Sequence, residues 1–356
     1  MCSPRRTAVR RRRPGAGIGA ALLLAAGLIP ALPLAAQVRV SDALSAPFHE
    51  GLTAASGADV VAWVANDRGS RNVWVARGPD FTPTRITDHR GDDGQEVGGL
   101  QLTPDGRWLL YSRGGAPNRA GWVPTPAQDP LGAERGLWWV ATDGSAAPVS
   151  LGSGGSPALS PDGRRLAYTA QGRIRVRDLP GASGTAPAAG AGADAPDVPG
   201  AAELPEPVEV ARPRSGAGSL VWSPDGTRLA FISSRGDHAF VGVVEVETGR
   251  YHYLDPSVDL DGSPAWSPDG TRVAFLRQPS EKDRLPFFPR PEAQPWSLRV
   301  ADAATGVGVE VFRANPGPGS AFYGVSGPNL VWGADGHLVF PWEKGGWVRL
   351  WARDAP

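Results

Sequence analysis

The sequence predicts an all-β β-propeller of four-stranded antiparallel blades, with about six blades visible and the last one incomplete. Two observations carry this: a Ser-Pro-Asp-Gly unit that recurs through the chain, and short apolar runs on either side of each copy. Composition agrees. With 47 Gly and 36 Pro among 356 residues, the chain is too rich in turn formers for a coiled coil or helical bundle. Its 13 Trp, 10 Phe and 5 Tyr set it apart from disordered chains, which lack aromatics.

The N-terminus has the layout of an export signal over residues 1–36. Arg5, Arg6 and Arg10 to Arg13 form a basic stretch, Ile18 to Ile29 is apolar, and Ala35 and Ala36 are small residues suited to a cleavage point. The alternative is a retained membrane anchor, but Pro30 and Pro33 interrupt the run where a spanning helix would continue. Cleavage predicts an exported, periplasmic or secreted chain without a membrane span. Cys2 is the only cysteine, so the mature chain would have no disulfide, cysteine nucleophile or cysteine-held zinc. Removing six arginines and no acid from 36 basic and 36 acidic residues leaves a net charge of −6, which disfavours nucleic acid as a partner.

Beyond the signal the chain repeats itself over residues 40–356. Five segments align: 98–113, 155–170, 218–233, 262–277 and 328–342, preceded by a degenerate copy at 57–77. Their Asp-Gly pairs begin at Asp105, Asp162, Asp225, Asp269 and Asp335, spaced by 57, 63, 44 and 66 residues. A period near 44 with strand-type units is the signature of a propeller, and longer intervals indicate insertions. Blades are expected near 45–90, 91–152, 153–212, 213–258, 259–315 and 320–356.

The physics of one unit is legible. Pro presets φ, Asp bonds its own backbone and Gly accepts a left-handed conformation, so each Ser-Pro-Asp-Gly is a turn. A short apolar strand ending in Trp222 or Trp266 precedes it, and alternation such as Leu229 and Phe231 against Arg228 and Ala230 follows. Further turns at 234–237 and 247–249 separate strands at 241–246 and 251–254, which completes four strands.

Three stretches fall outside this plan. Residues 181–207 are rich in Ala, Gly and Pro and read as a flexible insertion. Residues 115–134 and 279–296 are Pro-rich but carry Trp122, and Phe287, Phe288 and Trp296, which either bind a ligand or cover blade edges.

The Ser-Pro-Asp-Gly-x-x-[Leu/Val]-Ala-[Phe/Tyr] units resemble TolB-type propeller repeats. The longer passages at 91–115, 233–270 and 338–351 resemble the N-terminal propeller of secreted prolyl oligopeptidase-family serine peptidases, in the dipeptidyl peptidase and acylaminoacyl peptidase branch. That resemblance implies a non-catalytic domain that gates or binds peptide substrates beside an α/β-hydrolase domain. It leaves a second reading open, a self-contained periplasmic TolB-like module that binds a protein or peptide. No Gly-x-Ser-x-Gly nucleophile elbow occurs in the chain, and His49, His89, His238, His252 and His337 all fall in or beside repeat strands and turns. No catalytic residue, metal site or cofactor is therefore assigned. Trp347 to Ala352 reads as the third strand of the sixth blade, so the expectation is a truncated product whose hydrolase domain is missing. Alternatively, residues 48–54 close a six-bladed ring.

Candidate substrate-binding residues follow from the resemblance, in which acidic propeller residues hold a peptide's N-terminal ammonium. Glu96 is the leading candidate, with Asp93 and Gln95 beside it and Asp92 at the edge of the same run; the competing reading is a solvated turn. The paired-glutamate motif of the dipeptidyl enzymes is not found. Trp342, Glu343 and Lys344 are further candidates, for the channel mouth, against the same competing reading of a solvated turn or inter-blade contact. Asp255, Asp259 and Asp261 are rich in oxygen ligands but lack the spacing and bidentate Glu of a known calcium loop. Arg235-Gly236-Asp237 falls on a blade turn and reads as structural.

Overall fold

Each repeat folds as its alternation requires, with successive side chains on opposite faces of a strand. The computed structural model describes residues 45–115, 135–180, 204–280, 295–316, 320–322 and 328–355. The stretch predicted to be an export signal, Trp122, Phe287, Phe288 and most of the Ala/Gly/Pro-rich insertion lie outside them.

Blade one comprises β1 (Phe48–Ala54), β2 (Val60–Asp67), β3 (Ser70–Arg77) and β4 (Thr84–Arg85). Blade two is β5 (Val97–Leu102), β6 (Trp108–Arg113), β7 (Gly136–Ala141) and β8 (Val149–Ser153). Blade three is β9 (Gly155–Leu159), β10 (Arg165–Ala170), β11 (Arg173–Asp178) and β12 (Val208–Ala211). Blade four is β13 (Gly218–Trp222), β14 (Arg228–Ser234), β15 (Ala239–Glu245) and β16 (Tyr251–Tyr253). Blade five is β17 (Leu260–Trp266), β18 (Arg272–Gln278), β19 (Ser297–Asp302) and β20 (Gly308–Arg313). A single parallel bridge, Ala239 to Leu260, joins blades four and five into one sheet.

Blade six differs. β21 (Ser320–Ala321) and β22 (Val331–Trp332) both pair with β23 (His337–Lys344), so its first strand is in two pieces, and β24 (Trp347–Asp354) flanks β23 on the other side. Among the described residues β24 has no further neighbour in its sheet. The segment 48–54 does not close this blade. It is the first strand of blade one, antiparallel to β2 with Phe48 opposite Asn66.

Within every blade the chain runs in simple antiparallel order, so all Ser-Pro-Asp-Gly turns lie at one end of the blades. The connections from one blade's last strand to the next blade's first lie at the other. Ser223 shows how the turn is held: its hydroxyl donates to Asp225 Oδ1 at 2.5 Å and accepts from Arg228 N at 2.9 Å, while Gly226 N donates to the Ser223 carbonyl at 2.8 Å. Ser160 and Ser267 repeat the pattern.

The core lies between blades. Five buried apolar clusters join successive blades from one to six. In each, the first face of one blade's second strand supplies an aliphatic residue and an aromatic two positions on: Leu109 and Tyr111, Leu166 and Tyr168, Leu229 and Phe231, Val273 and Phe275, Leu338 and Phe340. None of these ten is more than 4% exposed. Trp296, read from sequence as an insertion aromatic, is 1% exposed and fills the cluster between blades five and six.

Candidate functional site

The loop from blade one into blade two carries Asp92, Asp93, Gln95 and Glu96, and Val97 begins the innermost strand. Two of its carboxylates fold the loop back on itself. Asp92 accepts from Gly94 N at 3.1 Å, and Asp93 accepts from Gln95 N at 2.9 Å. Asp93 also ion-pairs with Arg113, whose Cα is opposite Val97 in the ladder. Gln95 is buried. Glu96 is exposed; its main-chain carbonyl accepts from Gly114 N at 2.8 Å, and its carboxylate lies beside Gly115. The loop thus brings the predicted residues together but gives them different work: Asp92 and Asp93 shape it, and Glu96 offers a carboxylate to solvent at the entry of an innermost strand. Nearby, burial and the positive charge of Arg113 hold the His89 imidazole below its ordinary pKa.

On blade six the structure separates three neighbouring residues. Trp342 is 4% exposed, packed against Trp296, Phe312 and Trp351, with its indole N–H directed to Ser320 Oγ at 3.2 Å. Its ring belongs to the inter-blade core and not to a channel mouth. Glu343 accepts from Gly346 N at 2.7 Å, and the Lys344 ammonium sits 4.9 Å from the Trp342 ring centroid.

The acidic run that leads into β17 and ends on its second residue forms an ion-pair network. Asp261, its side chain fully buried, accepts from Arg277 through both oxygens, at 2.7 and 2.9 Å. Asp255 accepts from Arg277 at 3.3 Å and pairs with Arg299. Burial pushes the Asp261 carboxyl up to about 6 against the pull of Arg277. Guanidinium groups therefore occupy the positions a cation would take beside Asp255 and Asp261. Among the described residues no cluster of three metal-ligating side chains occurs.

Arg235 donates to Tyr253 Oη at 3.2 Å and stacks over Phe240 at 5.4 Å, while Asp237 pairs with His238 at 2.7 Å. Both charged groups of this turn are engaged locally. Among the described residues no histidine ring lies within hydrogen-bond reach of a serine hydroxyl; the ring partners are the carboxylates of Asp237, Asp335 and Asp354.

Sequence reasoning missed two features. The first is a bulge in the innermost strand, where Gly51, Gly99, Ser156, Ser219 and Ser263 all have left-handed φ between 46° and 67°. The second is Glu50, an exposed carboxylate one residue before Gly51 on the innermost strand of blade one. The degenerate first copy hid it.

No protein-family model matches the chain, and no curated protein matches it by sequence. Solved structures do. A prolyl endopeptidase superposes with a TM-score of 0.55 at 15% identity, over 87% of this chain and 42% of that one. The β-propeller domain of the Trilobed protease from Pyrococcus furiosus gives 0.50 at 12% identity, over 87% of this chain and 83% of the domain. The chain is a β-propeller. A TolB protein from Agrobacterium tumefaciens aligns over 87% of this chain and 91% of its own, at 17% identity and a TM-score of 0.42. The propeller spans less than half the length of the prolyl endopeptidase it resembles. Among its described residues no helix is long and apolar enough to cross a membrane.

Proposed function

We infer that this propeller is a non-catalytic, exported peptide-binding domain that admits short peptides to an α/β-hydrolase partner, as the propeller of a prolyl oligopeptidase-type enzyme would. The observation that supports this most is Glu96, an exposed carboxylate at the start of an innermost strand, held by a loop that Asp92 and Asp93 brace. An ammonium group approaching it gains a Coulomb attraction that grows as water is excluded. Exposed Glu50 lies on the first strand of blade one, which packs beside the strand that Glu96 precedes.

This reading assigns no chemistry to the chain itself. It is tested by titrating a fluorescent tripeptide with a free N-terminus against its N-acetylated twin. The free amine should bind about tenfold tighter, which corresponds to about 1.4 kcal/mol. Equal affinities would contradict the reading. Labelling of the purified chain by a fluorophosphonate serine probe would contradict its non-catalytic part.

A further inference from the structure

Blade three carries charge where its neighbours do not. On β11, Arg173, Arg175 and Arg177 alternate with Ile174 and Val176. The ladder sets Arg175 opposite Tyr168 and Arg177 opposite Leu166, and both of these belong to the apolar cluster shared with blade two. The three arginines therefore face blade two. The residues in register with them are Gly136, Trp138 and Val140 in blade two, and Phe240, Gly242 and Val244 in blade four. The fold itself requires no charge on this face.

Two of the three have partners. Arg173 pairs with Glu209 at 3.0 Å, and Arg177 donates to the Leu151 carbonyl of blade two at 3.1 Å. Arg175 stands directly across the ladder from Glu209, but that carboxylate is held by Arg173 and, at 3.2 Å, by Arg212. Among the described residues no carboxylate pairs with half-buried Arg175, and its Nε is buried without a hydrogen-bond acceptor. A buried donor left in this way is costly.

Blade five contains the same arrangement with its acceptor in place. Arg299 occupies the ladder position of Arg175, opposite Phe275 and across from Glu310. Its Nε donates to Asp255, which comes from the connection between blades four and five, and its Nη1 lies 3.7 Å from Glu310. The connection between blades two and three is Gly154 alone and offers no acid. The atom without an acceptor in blade three is thus the counterpart of the atom that holds Asp255 in blade five.

We propose that Arg175 binds a carboxylate supplied by another molecule, which takes at its Nε the place that Asp255 takes at Arg299. A guanidinium offers Nε and an adjacent Nη side by side, the spacing of two carboxylate oxygens. Arg173 and Arg177 flank the site on the same face and favour an anion.

The test titrates two probes into the full chain by calorimetry at low ionic strength. One is succinate, a free dicarboxylate; the other is an Asp-containing pentapeptide blocked as acetyl and amide at its ends. Neither has an ammonium group, so the result is independent of Glu96. At least one should bind, and the tighter of the two tells whether the source is a free acid or a peptide side chain. Arg175→Gln should weaken that probe about tenfold or more, and Arg175→Lys should recover only part of the loss, because an ammonium lacks the planar fork. Arg250→Gln removes an equal charge at an exposed position and should bind as the wild type does. Melting curves of each variant report its fold. Absence of binding by both probes would overturn the proposal, and so would equal affinities for the wild type and Arg175→Gln.

Discussion

The guanidinium of Arg228 lies 5.0 Å from the ring centroid of Trp266 in the next blade, and its Nη2 donates to the Gly270 carbonyl at 2.7 Å. Trp266 in turn donates its indole N–H to the Val221 carbonyl of blade four at 3.0 Å. The two side chains close a reciprocal contact between consecutive repeats. Arg228→Ala loses a charged hydrogen bond and a cation–π contact, and should cost about 2 kcal/mol in urea unfolding. Arg228→Lys should recover little of it, because an ammonium lacks the planar fork that stacks and donates at once. A double-mutant cycle with Trp266→Leu should show coupling of about 1 kcal/mol.

Acid sensitivity should come from the turns. Ser267, then the main-chain N–H and hydroxyl of Thr271, donate to Asp269 and hold its carboxyl at about 2, below the ordinary 3.8. A depressed carboxyl contributes stability above its unfolded pKa, and that contribution is lost as pH falls from about 4 towards 2. Asp269→Asn should therefore be less stable than the wild type at neutral pH, flatten the acid limb of the stability curve between those values and converge with the wild type near pH 2. Thermal melts from pH 2 to 7 measure this; parallel acid limbs for both proteins would contradict it.

The buried pair Asp261–Arg277 predicts an asymmetry. Asp261→Ala leaves Arg277, 11% exposed at its side chain, without its bidentate partner and should cost about 3–5 kcal/mol. Asp261→Ala combined with Arg277→Met removes both charges and should recover more than half of that loss. Chemical denaturation of the wild type and both variants gives the comparison.

Much of this fold is legible because Pro and Gly impose their backbone angles locally, so each Ser-Pro-Asp-Gly is readable without knowledge of its neighbours. The arginine contact between repeats is not local. Arg165 reaches a carbonyl 61 residues away and Arg228 one 42 residues away, and an arginine three positions after Asp162, Asp225 and Asp269, though not after Asp105 or Asp335, was the only trace. The innermost-strand bulges escaped notice because Ser156, Ser219 and Ser263 hold left-handed angles for which serine has no special preference. Trp342 was misplaced through its charged neighbours; alternation from Leu338 and Phe340 puts it on the buried face. Glu96 was legible as a candidate, but its difference from Asp93 depends on Arg113, which the ladder brings opposite Val97.

The most direct test of peptide binding replaces one atom of Glu96. Glu96→Gln keeps the shape of the side chain and removes its charge. If the carboxylate holds a peptide's ammonium, the variant should bind free-amine and N-acetylated tripeptides equally in a calorimetric titration, having lost the roughly tenfold preference of the wild type, and should melt at the same temperature. An unchanged preference for the free amine in Glu96→Gln would contradict the account.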